Sequence, residues 1–307
     1  VTSAVVLLGV AAAVFAAARP DSDRTGTQAG TQTGTQAGTP TSAQADHKVP
    51  QTTPAPASSA PEPFHLGSAL APVTRLFGDN EMSVAVQDTE SGKWATFGEG
   101  AFDTASIVKV DILATLLLQA QDAGRKLTAR ERDYTAKMIQ KSDNDSTSAL
   151  WTQIGSAAGL DAANERLGLT QTHGGDGTVW GITQTTAQDQ VRLLQSVFGA
   201  RSPLSSASRA YMQQLMYHID VDQAWGVSAA ADEGRPTALK NGWLRRSQTQ
   251  KWDVNSIGRI EKDGRVYFMA VLLNGCSTEE VGIKLVEQAA VAAVTAFAES
   301  LPGGTAP

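Results

Sequence analysis

Residues Ser83–Lys109 read SVAVQDTESGKWATFGEGAFDTASIVK. Ser83–Asp88 and Lys93–Phe97 are runs rich in Val, Thr and aromatic residues, parted by Glu90–Ser91–Gly92, which is the pattern of a β-hairpin. The chain then enters Ile107–Gln121, apolar nearly all round, so a buried helix is expected there. Ser106 and Lys109 open that helix at i, i+3, which places a hydroxyl and an amine on one face, within reach of each other. Unpaired N–H groups at a helix start favour a developing negative charge. A lysine among Val108, Val110, Ile112 and Leu113 loses proton affinity by desolvation and can then take a proton from a serine. The competing reading, an N-cap serine followed by a surface lysine, is the better one for this pair taken alone.

Downstream, helices are expected over Thr128–Lys141, Ser146–Ile154, Leu160–Leu167, Thr186–Phe198 and Ser205–Tyr217. Strands follow at Ala238–Leu244, Trp252–Ile260 and Val266–Leu273, the last two joined by an Asp263–Gly264 turn. An Ala-rich helix over Thr278–Ser300 ends the series. Two strands, a run of helices, three strands and a helix make an α+β protein. Its antiparallel sheet joins strands from both ends of the chain, and the central helices form a lobe of their own. No glycine-rich loop follows a strand, so a nucleotide fold is not expected.

Two further motifs change the weight of the Ser–Lys pair. Ser142–Asp143–Asn144 stands between two expected helices. It reads either as an N-cap cluster or as a proton relay (Ser142) beside an amide for substrate or for Lys109 (Asn144). Lys240–Asn241–Gly242 lies inside a strand. Lys240 would add a second positive charge, and Gly242 would let a substrate backbone approach the strand edge.

In this order, on helix start, inter-helix loop and strand, the three motifs resemble the active-site-serine β-lactamase and penicillin-binding protein superfamily, and among its members the class A β-lactamases. The resemblance extends to the opening hairpin, to LTARERDYTAKMIQKSDNDSTSALWTQIGS and to the stretch from Ile257 onward, and covers nearly all of Phe64–Leu301. It implies a β-lactamase/transpeptidase-like, three-layer α/β/α fold with an inserted helical lobe. It also implies an exported serine hydrolase that forms an acyl-enzyme at Ser106 with β-lactam or related amide and ester substrates. By position, Ser106 is the nucleophile, Lys109 its base, and Ser142 the donor to the leaving nitrogen. Asn144 positions the substrate amide. Lys240 orients Ser142 and binds the substrate carboxylate, with Asn241 beside it. The backbone N–H groups of Ser106 and Trp243, next to Gly242, form the oxyanion hole.

The sequence departs from that pattern. Residues 168–190, GLTQTHGGDGTVWGITQTTAQDQ, contain no Glu to activate water for deacylation, and Glu165 lies before them on an expected helix. His173 or Asp176 could substitute, but Gly174–Gly175–Asp176–Gly177 reads first as a turn. Asn241 stands in place of the usual Thr, and Trp243 in place of a small residue whose site its ring could narrow. Only 36 positions separate Ser106 from Ser142, shorter than in class A enzymes. The arginine that faces a substrate carboxylate is not aligned. Arg245, Arg246 and Lys251 are candidates to replace it, although a solvated strand-end cluster is the favoured reading. Two other readings are a penicillin-binding, D,D-peptidase-like or esterase-like hydrolase and a silent cell-wall-binding domain. Keeping Ser106, Lys109, Ser142, Asn144 and Lys240 together argues against silence.

The ends of the chain are different material. Ala4–Ala18 (AVVLLGVAAAVFAAA) is uncharged and of a length that suits a signal h-region with small residues for cleavage; a retained anchor is the alternative. Residues 19–63 carry three TQAG-like units and seven of the twelve prolines, and read as an unfolded tether. The expected division is therefore 1–18 signal or anchor, 19–63 linker, 64–301 hydrolase domain and 302–307 tail. The location is extracytoplasmic, secreted or tethered to a membrane through the N-terminus, and the domain is expected to be a monomer. A net charge of −6 argues against a nucleic-acid partner. One cysteine, Cys276, and four histidines with no i, i+4 pair leave no cofactor or metal site expected.

Overall fold

The computed structural model describes residues 63–77 and 80–302. The expected signal and linker, and the tail beyond Pro302, lie outside the described residues. The elements are β1 (Phe64–His65), α1 (Gly67–Phe77), β2 (Glu81–Asp88), β3 (Trp94–Phe97), β4 (Phe102–Asp103), α2 (Val108–Asp122), α3 (Ala129–Gln140), α4 (Asn144–Gln153), α5 (Ser156–Leu167), β5 (Gln184–Thr185), α6 (Ala187–Phe198), α7 (Ser206–Tyr217), β6 (Ala238–Arg245), β7 (Trp252–Lys262), β8 (Arg265–Cys276) and α8 (Glu279–Ser300).

Six strands form one sheet in the order β1-β3-β2-β8-β7-β6. All neighbours are antiparallel except the two-residue β1, which runs parallel to β3. The sheet is therefore mixed rather than purely antiparallel as expected. The short strand had no signal of its own, because two residues carry no alternation. β4 and β5 make a separate pair. The β7–β8 turn is tight because Asp263 and Gly264 both take positive φ, 50° and 74°.

Strand alternation loads both faces of the sheet. On β8, Tyr267, Met269, Val271 and Leu273 point into a core with α1 and α8, while Phe268, Ala270 and Leu272 point into a core with α2 and the other helices. β2 repeats this, with Val84 and Val86 on one face and Ala85 on the other. This produces the three layers. α8 buries Leu285, Val286, Ala289, Ala290, Ala293, Val294 and Phe297 in one stripe. Its 22 residues have the length and hydropathy (1.5) to cross a membrane, but that stripe is packed in the fold.

The helices match the expected ones with shifted ends. α4 starts at Asn144 because the Asp143 carboxylate caps it, accepting from Ser146 N–H at 2.7 Å. α5 starts at Ser156, four residues before the expected Leu160, behind left-handed Gly155. α1 was not expected. Leu66, Leu70, Val73 and Phe77 are buried at helical spacing, but Pro72 inside the run reads as a breaker.

Candidate active site

The site forms where α2, α4 and β6 meet. The chain leaves β4, passes a 3₁₀ turn at Ala105–Ile107 and continues as α2. Ala105 takes φ 47°, a left-handed conformation that costs a non-glycine residue about 1–2 kcal/mol. Ser106 thus sits on a strained turn, partly exposed, rather than on the first residue of a regular helix. Asn255 of β7, fully buried, donates to Asp103 O (2.8 Å) and Thr104 O (3.1 Å) and accepts from Leu273 N–H. It ties this turn to the sheet. No sequence pattern singled it out, since a lone polar residue inside a strand run reads as a solvent-facing position.

Lys109 and Lys240 are both buried. Lys109 Nζ donates to Ser142 O (2.7 Å), Ser142 Oγ (3.1 Å) and Asn144 Oδ1 (2.8 Å). Lys240 Nζ donates to Ser142 Oγ (2.9 Å) and to Asn241 O (2.8 Å). Ser142 adopts φ 57°, which turns both its carbonyl and its hydroxyl toward Lys109. The structure therefore brings Lys109, Ser142, Asn144 and Lys240 into one hydrogen-bonded group around the Ser142 hydroxyl. Burial pulls Lys109 down to about 7. Burial, and then the neighbouring Lys109 charge, pull Lys240 well below the usual lysine range. Ser106 is not bonded to Lys109. Carbonyl and amide oxygens take the amine protons, and the Ser106 hydroxyl has no hydrogen-bond partner among the described residues. The direct Ser106–Lys109 hydrogen bond expected from the i, i+3 spacing is therefore not formed.

Gly242 presses β6 against the Ser106 turn. A Cβ placed on it would lie 2.5 Å from Ser106 N and 2.9 Å from Ile107 N. β6 is an edge strand, so part of its backbone hydrogen-bonding capacity faces away from the sheet. A cleft of about 320 Å³ opens over Ser106, lined by Ala105, Asn144, Thr178–Gly181 and Trp243–Leu244.

Several expected residues sit differently. Asn241 is buried and turned inward. Its amide donates to Gln223 O (2.8 Å) and Trp225 O (2.9 Å), and its oxygen accepts from Ser256 Oγ (2.6 Å). With every polar group of its side chain engaged, it braces β6 and presents nothing to a substrate. The Trp243 ring, by strand alternation, packs 5.8 Å from Trp225 with the α1–α8 core, so the cleft is not narrowed by stacking there. His173 and Asp176 do not line the cleft; the turn lies two residues beyond the expected one, with Val179 N–H donating to Asp176 O and Gly177 at positive φ. Arg245 and Lys251 are exposed, but Arg246 is not a solvated strand-end residue. It pairs with the buried carboxylates Asp103 and Asp253, and Asp103 also accepts from Gln184. One cation thus joins β4, the β7 start and, through Asp103, β5. Arg246→Met should cost about 2 kcal/mol, the loss for a broken buried pair discounted for a half-exposed guanidinium. Burial already raises both carboxyls above the ordinary range. The folded state then holds protons more tightly than the unfolded one, so the variant's stability should fall as pH rises through the region between the two. Denaturation midpoints at pH 5 and pH 8 check this; an equal loss at both would contradict it.

Trp180 was passed over inside the loop of residues 168–190. Its ring lies over Lys109, with Nζ 4.9 Å from the ring centre, and its indole N–H donates to Ser148 Oγ (3.2 Å). The loop is held from beneath. Asp189 accepts from Gln171 N–H and Thr172 Oγ1, and Asp161 accepts from Gly174 N–H. Asp111, fully buried, is pushed up to about 8 by burial, although the neighbouring Asn164 amide pulls the other way.

A mixed sheet between helical layers, with a helical lobe beside it, is the β-lactamase/transpeptidase-like fold. Residues 118–297 match the sequence model of the Beta-lactamase enzyme family, and the chain belongs to that family. The matched span includes Ser142, Asn144 and Lys240 and begins after Ser106 and Lys109. Among solved structures, a class A beta-lactamase from Mycobacterium abscessus superposes with a TM-score of 0.63 at 21% identity, covering 76% of this chain and 99% of its own. PBP-A superposes with a TM-score of 0.64 at 19% identity, covering 78% and 99%. A point mutant of PBP-A, seen as an acyl-enzyme complex with penicillin G, gives 0.64 at 20% identity, covering 79% and 100%. These likenesses carry the fold. The "Putative lipoprotein LppW" of Mycobacterium tuberculosis is 28% identical over 172 residues, 53% of this chain and 54% of the relative. The chain spans about half the length of the curated relatives it matches.

Proposed function

We propose that the protein is an extracytoplasmic serine acyl-transfer enzyme whose acyl-enzyme, formed at Ser106 with β-lactam or related amide and ester substrates, is long-lived. The observation that carries the proposal is the convergence of Lys109 and Lys240 on the single hydroxyl of Ser142, at 3.1 and 2.9 Å, beside the partly exposed Ser106. Ser106 Oγ attacks the carbonyl and its proton passes to the neutral Lys109 amine. The oxyanion is held by the N–H groups of Ser106 and Trp243. Collapse breaks the carbonyl–nitrogen or carbonyl–oxygen bond, and the Ser142 hydroxyl gives its proton to the leaving atom. Ser142 then recovers a proton from the lysines. Asn144, at the cleft wall, holds the substrate amide and Lys109 in place.

Hydrolysis of the acyl-enzyme needs a group that activates water. No carboxylate or imidazole lines the cleft among the described residues; Trp180 occupies the wall over Lys109. This favours a penicillin-binding or esterase-like enzyme over an efficient β-lactamase. The apolar run at Ala4–Ala18 and the lipoprotein name of the relatives support a secreted or membrane-tethered location. The test is intact mass spectrometry after mixing the chain with a penicillin and with an activated phenylacetyl ester. One persistent adduct is expected, mapping to the tryptic peptide Trp94–Lys109. Fast turnover without accumulation would favour a β-lactamase, and neither adduct nor hydrolysis would leave a silent wall-binding domain.

A further inference from the structure

Of the cationic side chains around this cleft, Arg245 and Lys251 are exposed but do not line it, and the others are committed elsewhere. Arg246 is held by Asp103 and Asp253. Lys240 is buried and donates to Ser142 Oγ and Asn241 O. Lys109 spends three donors on Ser142 and Asn144. Asn241 points into the protein. Among the described residues, no arginine, lysine or histidine lines the cleft itself. Asn144 and Thr178 are uncharged polar residues on its wall, and the rest of one flank is apolar: Val179 is half exposed, and Trp180 and Leu244 are partly buried beside it. By strand alternation Leu244 stands on the same face of β6 as Gly242 and Lys240, toward the nucleophile. A carboxylate held against that apolar flank would lose water and gain no cationic partner, which costs more than an uncharged group would. The depressed proton affinity of both lysines weakens the positive field further.

We infer that the site selects acyl substrates with no carboxylate beside the scissile bond: uncharged esters or amides whose apolar flank lies against Val179, Trp180 and Leu244. This rests on the reading of Ser106 as nucleophile and narrows its substrate class, ranking carboxylate-bearing β-lactams such as penicillins below uncharged esters and amides. In acylation by an ester, the Ser106 Oγ–carbon bond forms, the ester C–O bond breaks, and the Ser106 proton ends on the leaving oxygen.

The test is a matched pair, the phenylacetyl esters of 3-hydroxybenzoate and of its methyl ester, which differ by one charge at the leaving group. Second-order acylation of the full chain is followed by intact mass and divided by each ester's rate with hydroxide. The uncharged ester should win by roughly tenfold or more, as expected when a buried charge goes unmatched; any smaller ratio overturns the inference. In Leu244→Arg, which places a cation on the cleft wall, the ratio should fall toward unity. An unchanged ratio in a folded Leu244→Arg protein also counts against it. Acylation by neither ester and by no β-lactam would overturn the Ser106 reading and this inference with it. Adducts with both esters at equal rates would overturn the inference alone.

Discussion

Lys109→Ala should lower the rate of acylation at neutral pH by about 10³-fold or more, the scale of losing a proton acceptor that also positions its neighbours. The same loss is expected for Lys109→Arg. An arginine can keep the charge and donate to Ser142 and Asn144, but it does not give up its proton in this pH range. Rescue by arginine would show that Lys109 acts only as a positive charge. The native rate should also carry the signature of the amine. Burial brings Lys109 to about 7, so the fraction able to accept a proton is small at pH 5 and nearly complete at pH 9. Acylation should rise with pH through about 7 and then level off. A profile flat from pH 5 to 9 would remove Lys109 from the role of base.

The second large effect is expected at a residue with no side chain. Gly242→Ala inserts a methyl group 2.5 Å from Ser106 N and 3.0 Å from Thr104 O, both backbone atoms that cannot rotate away. β6 must move outward or the Ser106 turn must shift. Either change pulls the N–H groups of Ser106 and Trp243 apart. Loss of one oxyanion donor costs about 10²–10³ in rate, while such overpacking costs about 1–3 kcal/mol of stability. Gly258→Ala separates the two effects. Its Cβ would meet Ala238 O at 2.5 Å on the same strand pair, without meeting Ser106. It should lose comparable stability and keep its acylation rate. If both variants acylate at the native rate, the closeness of β6 to Ser106 has no catalytic consequence.

The sequence carried the architecture wherever a pattern was long enough to be periodic. The hairpin of β2 and β3, the helix after Ser106, the Asp263–Gly264 turn and the last three strands were legible from alternation and turn residues. The two-residue strands β1, β4 and β5 were not, because pairing so short is decided by tertiary contacts. α1 had a readable stripe at Leu66, Leu70, Val73 and Phe77, which Pro72 disguised. At the site, residue types and order brought out Ser106, Lys109, Ser142, Asn144 and Lys240; hydrogen bonds join the last four, and Ser106 shares only the cleft with Asn144. Side-chain direction was beyond the sequence. Nothing in Lys240–Asn241–Gly242–Trp243 says that Asn241 turns to the backbone of Gln223 and Trp225, or that the Trp243 ring leaves the cleft. Arg246 among polar neighbours looked solvated because its two carboxylate partners, Asp103 and Asp253, come from other elements. Trp180 sat in a loop whose glycines drew the reading toward turn chemistry.

The position of β8 also governs when the molecule can fold. It lies between β2 and β7, pairing with residues 81–88 on one side and 252–262 on the other. Until Arg265–Cys276 has left the ribosome, β2 with β3 and β6 with β7 are two hairpins with open edges and no shared layer. The Ser106 turn is anchored by Asn255, which itself accepts from Leu273 N–H, so the geometry around Ser106 has to wait for the same strand. Closing the sheet joins segments nearly two hundred residues apart, a contact order that slows folding. A nascent chain should therefore stay open and dependent on protection of its strand edges until Arg265–Cys276 has been synthesised.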